Sequence, residues 1–323
     1  MSIFTRSIIT PFEALAVDTV YTKDLPVNPI SFLLLTIKFQ NDTAYTKATL
    51  GNLLACLDRV TIRFRGSNVI ALSGIDLFAY GYILWRKMMH QVNEIDLEDG
   101  IRSITIPIPF GRFPYDPAFA FPATSRGQLI FELDSAAAFT NIEETTWGLE
   151  AVELPDGVPT SWLRCTTLAH TPAAVGDTDI ELPIGNPLKM IILYGTTVPT
   201  DTTATRTINS AQLMVDNAQR YYSKSDFETL HNAMGLRCLP PVFYDDHIHA
   251  SDMAAAYTQY QDTNPAERAI DKLGHYMLMD LDPTDDGLYI LETAGLSDLK
   301  LRIDAGDTNA IRILPVELFT IGI

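Results

Sequence analysis

Side chains with the right type and spacing for chemistry are few in this chain, and they gather in its second half. His247-Ile248-His249, flanked by Asp245, Asp246 and Asp252, is the histidine pair. On a strand both rings would point to one face, as metal ligation requires. The cupin pattern that uses such a pair also has a glycine before it, a Glu soon after it and a later histidine. His275 is the only later histidine, and the glycine and Glu are missing. The pair is therefore expected to bind no metal and to serve local hydrogen bonding or a subunit contact. Asp280, Asp282, Asp285 and Asp286, in Asp-Leu-Asp-Pro-Thr-Asp-Asp-Gly, resemble a calcium loop. They lack the bidentate Glu that closes an EF-hand, so a polar turn between strands is expected. Tyr80, Tyr82 and Trp85 read as core and interface rather than a sugar platform. The sequence carries no Gly-x-Ser-x-Gly elbow, P-loop or dinucleotide fingerprint. No catalytic, cofactor-binding or metal-ligating residue is assigned, no cofactor is expected, and the chain is read as no enzyme.

The elements that would hold such residues are written twice. Leu25-Pro26-Val27-Asn28-Pro29, opening an apolar run to Leu35, returns as Leu182-Pro183-Ile184-Gly185-Asn186-Pro187, opening a run to Leu193. One glycine is inserted. A second block aligns 63–77 with 213–227 without a gap. Each copy is a strand, a polar turn and then Ser-x-x-Asp, as Ser73…Asp76 and Ser223…Asp226. That spacing is like a capping box, with the Ser oxygen free to accept an orphan backbone N–H. It predicts helices over 74–91 and 224–233. The third block aligns 116–134 with 286–304, alternating at the period of half-buried strands. Three blocks in one order mean duplicated architecture.

Strands are predicted at 30–39, 60–65, 101–108, 128–133 and 147–154. In the second half they fall at 188–194, 211–215, 276–281, 288–292, 299–303 and 311–320. Such short strands, punctuated by turn residues, suggest sandwiches or barrels rather than βαβ units. The turn-rich seam at 154–160 begins a linker that extends to Asp179, and the halves are divided as 1–165 and 166–323. The spacing between the second and third blocks is 20 residues longer in the second half. An inserted excursion is therefore expected within 235–274, with a helix over 251–261.

Composition narrows the function classes. Of 323 residues, 47% are hydrophobic, enough for packed cores, and 40 acidic against 23 basic residues give a net charge of −17. That charge repels phosphate backbones and disfavours direct nucleic acid binding. The densest basic stretches, Arg59 to Arg65 and Arg86-Lys87, read as solvated faces. The apolar runs are too short to span a bilayer. The start of the chain has no signal-peptide pattern, and synthesis and folding in a cytoplasm are expected. Cys56, Cys165 and Cys238 have no metal spacing and read as reduced packing residues.

The paired Leu-Pro-x-(x)-Asn-Pro openings and the paired strand–turn–Ser-x-x-Asp–helix units resemble the double jelly-roll major capsid proteins. That lineage includes adenovirus hexon and the capsid proteins of tailless, membrane-containing icosahedral bacteriophages and archaeal viruses. The resemblance implies an all-β fold with a few helices, built as two tandem eight-stranded jelly-roll sandwiches. It implies a homotrimer of pseudo-hexagonal outline that tiles an icosahedral virion, with strands roughly perpendicular to the shell and a terminal segment facing inward. The implied partners are neighbouring capsomers, penton and minor capsid proteins, and an internal lipid membrane. There is no direct nucleic acid partner, and acidic charge agrees with a shell kept from its genome by lipid. Localisation would be the virion, after synthesis in the host cytoplasm. The alternative reading is a two-domain jelly-roll enzyme or sugar-binding protein of the bicupin kind.

Overall fold

The computed structural model describes residues 3–42, 48, 50–86, 91–93, 99–198, 204–238 and 273–321. The first half holds β1 (Thr5–Ala14), β2 (Val20–Asp24), β3 (Ile30–Asn41), α1 (Leu50–Ala55), β4 (Leu57–Phe64), β5 (Ser67–Leu72) and α2 (Gly74–Trp85). It continues with β6 (Gln91–Asn93), β7 (Ile101–Pro109), β8 (Leu129–Ser135) and β9 (Ile142–Glu153). The second half holds β10 (Ser161–Thr166), β11 (Leu168–His170), β12 (Gly176–Glu181), β13 (Leu188–Gly195), β14 (Ile208–Val215), β15 (Ala218–Gln219) and β16 (Ser225–Asp226). It closes with α3 (Phe227–Cys238), β17 (Tyr276–Asp280), β18 (Leu299–Ala305) and β19 (Ile311–Thr320).

The two halves share one topology. In the first, one sheet runs β1-β9-β3-β7-β6 and the facing path runs β5-β4-β8-β2. In the second, β15-β14-β18-β12 repeats the facing path. The run β10-β19-β13-β17 repeats the other, with β11 continuing the β10 position along β19. Each half is thus an eight-stranded jelly roll, with β6 and β16 as additions. Inward residues of facing sheets form the cores: Leu33, Leu35 and Ile37 lie in one cluster with Val60, Ile62 and Phe131. Ile191 and Leu193 lie in another with Leu213, Leu301 and Ile303. Each such side chain, fully buried, is worth about 1.5–3 kcal/mol of apolar burial.

The repeated motif has a physical cause. Leu25 N–H donates to the Leu129 carbonyl, as Leu182 N–H does to Leu299, both at 3.0 Å. Ile30 and Phe121 exchange backbone bonds, as do Leu188 and Leu291. The prolines leave their carbonyls free: Pro29 accepts from Leu154 N–H and Pro187 from Leu318 N–H. Asn28 Nδ2 donates to Glu153 at 2.7 Å and Asn186 Nδ2 donates to Glu317 at 3.0 Å. Glu153 and Glu317 are both buried near the ends of the last strands. The inserted Gly185 sits at φ +118°, a conformation that costs glycine little. Replacing Asn28 or Asn186 with Ala removes a donor from a buried carboxylate, and each variant should lose about 1.5–3 kcal/mol. Urea unfolding checks this; unchanged midpoints in both variants would remove the explanation of the motif.

Four sequence expectations meet a different local structure. Ser73 caps α2, accepting from Asp76 N–H at 3.3 Å, but the helix ends at Trp85 rather than residue 91, where Arg86 turns left-handed at φ 57°. Ser223 does not cap α3. Ser225 and Asp226 first pair with β14, which delays the helix to Phe227 and carries it to Cys238. The strand predicted at 288–292 is a single bridge at Leu291, matching Phe121 in the first half. The expected division at 165/166 falls inside β10, which pairs antiparallel with β19 and parallel with β5. Through β10 the sheets of the two halves join into one of nine strands.

α2 is packed at this joint. Its buried side runs almost unbroken from Gly74 to Leu84, as in a helix enclosed on all sides. A Cβ on Gly74 would lie 2.2 Å from the Leu54 carbonyl oxygen, so only glycine lets α2 approach α1 this closely. Among the described residues, no helix is long and apolar enough to cross a membrane.

Candidate functional site

Part of the acidic loop singled out for chemistry lies where the two jelly rolls meet, with Asp285 paired to Arg86 of the first half. The loop carrying Asp280, Asp282 and Asp285 follows β17 and meets four cations. Lys189 Nζ, fully buried on β13, lies 2.9 Å from Asp282 and 2.6 Å from Asp285. Arg237, at the end of α3, bonds Asp280 and reaches Asp285 at 2.7 Å. From the first half come Arg86, paired with Asp285, and Arg112, which donates to the Asp285 carbonyl at 2.9 Å. Asp282 also accepts from Gly287 N–H at 2.8 Å. Asp286 stands apart, accepting from Thr284 and Leu288 N–H. The carboxylates of Asp280, Asp282 and Asp285 are thus paired with guanidinium and ammonium groups. Among the described residues, no group of three His, Cys, Asp or Glu is placed to hold a metal.

A second buried ion pair crosses the same joint. Asp76, fully buried on α2, receives Arg312 Nε at 2.9 Å and Nη2 at 3.0 Å from β19. The Tyr276 hydroxyl of β17 donates to the same carboxylate at 2.7 Å. The Arg312 guanidinium also lies over the Tyr194 ring, 3.5 Å from its centre. Tyr80, Tyr82 and Trp85 are packed rather than presented: the Tyr80 hydroxyl donates to Pro109 and the Trp85 indole to Gly111. Arg237 Nε, from α3, donates to the Ile83 carbonyl of α2.

The electrostatics follow from burial and pairing. Burial pushes the Tyr276 hydroxyl pKa well above its ordinary value, and the Asp76 charge adds to the effect. For Arg312 burial opposes the charge, but Asp76 more than offsets it, and the pKa rises. Burial disfavours the Asp285 carboxylate, yet hydrogen bonds from Lys189 and Arg237 hold its pKa below the usual range. Cys56 and Cys165 are buried free thiols; burial pushes Cys56 up to about 12, and burial with Asp76 and Glu317 nearby raises Cys165. Neither thiol is poised as a nucleophile.

The sign of the acid response is set by Asp285, joined by Asp179, whose pKa is lowered by its hydrogen bonds from Arg302. A carboxylate depressed in the folded state contributes stability above its unfolded value and loses it as pH falls through the folded one. The melting temperature is expected to hold from neutrality to about pH 4.5 and to fall below about pH 4. Equal melting temperatures at pH 5 and pH 2 would contradict the ion-pair account of the joint.

His247 and His249 lie outside the described residues, as do all of 239–272 and with them the helix expected over 251–261. Lys189, Arg112, Arg237 and Arg312 were not singled out in the sequence. Lys189 did leave a signal, being a lone cation inside an otherwise apolar run. Exposed apolar side chains mark the surface of the loops around the joint: Phe113, Tyr115, Leu288 and Tyr289. Ile8 and Phe12 do so on the edge strand β1. Such surface is what a partner could cover.

No protein-family model matches the chain, and no curated protein matches it. Solved structures do. The fold is similar to that of the major capsid protein P2 of Bacteriophage PM2, with TM-score 0.64, 10% identity and coverage of 99% of this chain and 98% of that one. It is similar to the STIV MCP, with TM-score 0.67, 12% identity and coverage of 98% and 97%. It is also similar to a chain of the PBCV-1 virus capsid, with TM-score 0.63, 10% identity and coverage of 98% and 94%. The class is therefore set: this is the double jelly-roll fold found in viral major capsid proteins. The likeness runs from end to end of the chain, and no other domain is needed to account for the described residues.

Proposed function

We propose that this chain is the structural major capsid protein of an icosahedral virus, that it acts in the virion, and that it performs no catalysis. One observation carries the reading. Two jelly rolls of identical strand order stand joined by a shared sheet, and the fold is similar to that of capsid chains over nearly their full length. A homotrimer of such a chain presents six similar sandwiches around a threefold axis, an outline that tiles a hexagonal lattice. The joint supports that role, because rigid coupling lets two sandwiches act as two fixed corners of one hexagon. Neighbouring capsomers, penton and minor capsid proteins, and an internal membrane are the partners in this reading. We count β10 with the second sandwich, which moves the division from 165/166 into the turn-rich seam before Ser161.

Size-exclusion chromatography with light scattering tests the reading. The expected species has three times the 35.8 kDa chain mass, and its subunit contacts should exceed the roughly 1,000 Å² of a stable interface. A monomer at micromolar concentration that carries stoichiometric zinc, iron or manganese would favour the bicupin-like enzyme instead.

A further inference from the structure

A groove at the seam between the sandwiches, beside β4, β5, β10 and β19, has the features of a docking site. It is lined by Phe64, Arg65 and Val69 from β4, β5 and their turn, and by Trp162, Arg164 and Phe319 from β10 and β19. Its volume is about 430 Å³, room for two or three side chains. Trp162 stacks on Phe319 with centroids 4.6 Å apart, and the two form an aromatic floor. The Arg164 guanidinium lies 5.6 Å from the Phe319 ring centre and that of Arg65 4.9 Å from Phe64.

Both arginines keep donors to spare. Arg164 Nε is buried without a hydrogen-bond partner, and its Nη1 forms a long ion pair with Glu317 at 4.0 Å, with no hydrogen bond between them. Glu317 already accepts from Asn186. Arg65 makes one long contact, 3.4 Å to Gln128 Oε1. It stands at φ 50° in the tight turn before Gly66, which projects the side chain beside the groove. No Asp or Glu is among the described residues that line the groove. In a chain of net charge −17, two underused guanidiniums above an aromatic floor form a local site for negative charge.

We propose that this groove docks an acidic segment of a second protein, one that places a carboxylate beside an aromatic or aliphatic side chain. The apolar side chain would rest on Trp162 and Phe319, while the carboxylate takes the free donors of Arg164 and Arg65. The groove is recessed, which suits an inserted chain segment better than a flat lipid surface. The inference does not depend on the capsid reading.

The test uses a labelled probe peptide, acetyl-Glu-Phe-Asp-Leu-Glu-amide, and a counterpart with lysine at each acidic position. Fluorescence polarisation with the full chain should show binding of the acidic probe alone, weakening as salt is raised. Arg164→Gln and Arg65→Gln should each weaken it by about tenfold. Arg65 lies in an exposed turn, so its variant keeps the fold and reads binding directly. Equal binding of the lysine probe, or unchanged affinity in both variants, overturns the proposal. Binding of phosphatidylglycerol vesicles through the same two arginines, without binding of the peptide, also overturns it and assigns the groove to lipid.

Discussion

Replacing Arg312 with Met is expected to destabilise the folded chain by about 3–5 kcal/mol, because it leaves Asp76 as an uncompensated charge in a fully buried position. Asp76→Asn should cost less. The freed guanidinium keeps 26% of its side chain exposed, so water can solvate part of it, and it retains the Tyr194 ring. The Asp76 carboxylate has no such outlet. The double variant should recover part of the Arg312→Met loss, since the two residues share one interaction. Urea unfolding of the three variants reads this order directly. Equal losses in both single variants, or strict additivity in the double, would show that the pair does not act as a unit across the joint.

Lys189→Met should rank with it, at about 3–5 kcal/mol near neutrality. Lys189 is the closest cation to Asp282, and Arg112 stands off at 3.8 Å. Removing the ammonium strands a fully buried carboxylate whose remaining close donor is the Gly287 N–H. Lys189 also hydrogen-bonds Asp285 and helps hold its pKa below the usual range, a contribution that is lost as pH falls through the folded value. The stability gap between the native chain and the variant should therefore shrink as pH falls from 7 toward about 3. A variant within about 0.5 kcal/mol of the native chain at pH 7, or a gap that widens in acid, would contradict the assigned pairing.

The duplicated plan was legible because strand registers preserve sequence offsets. The 116–134 and 286–304 alignment places β8 on β18 residue for residue, while β4 falls on β14 one residue off the 63–77 and 213–227 alignment, with Phe64 opposite Leu129 and Val215 opposite Leu299. What escaped was the edge. β12 reads Gly-Asp-Thr-Asp-Ile-Glu, with one apolar residue, because one face and its outer edge meet solvent and only Ile180 reaches the core. β1 is mostly exposed and broken by register shifts, so it lacks the alternation of a half-buried strand. β10 is a strand because β19 and β5 flank it, a fact of tertiary placement. The ion pairs were invisible for a related reason. Asp76 and Arg312 are 236 positions apart, and an acidic run gives no sign of distant cations. The capping spacing misled at Ser223, where strand pairing of Ser225 and Asp226 took precedence over helix initiation.

The central claim is that this chain builds a shell, and electron microscopy of particles purified with it tests that claim most directly. The account predicts icosahedral particles in which this chain is the most abundant protein, with capsomers of three chains and a six-cornered outline, each corner one sandwich. Particles whose shell is made of a different protein, with this chain scarce or confined to an appendage, would contradict it.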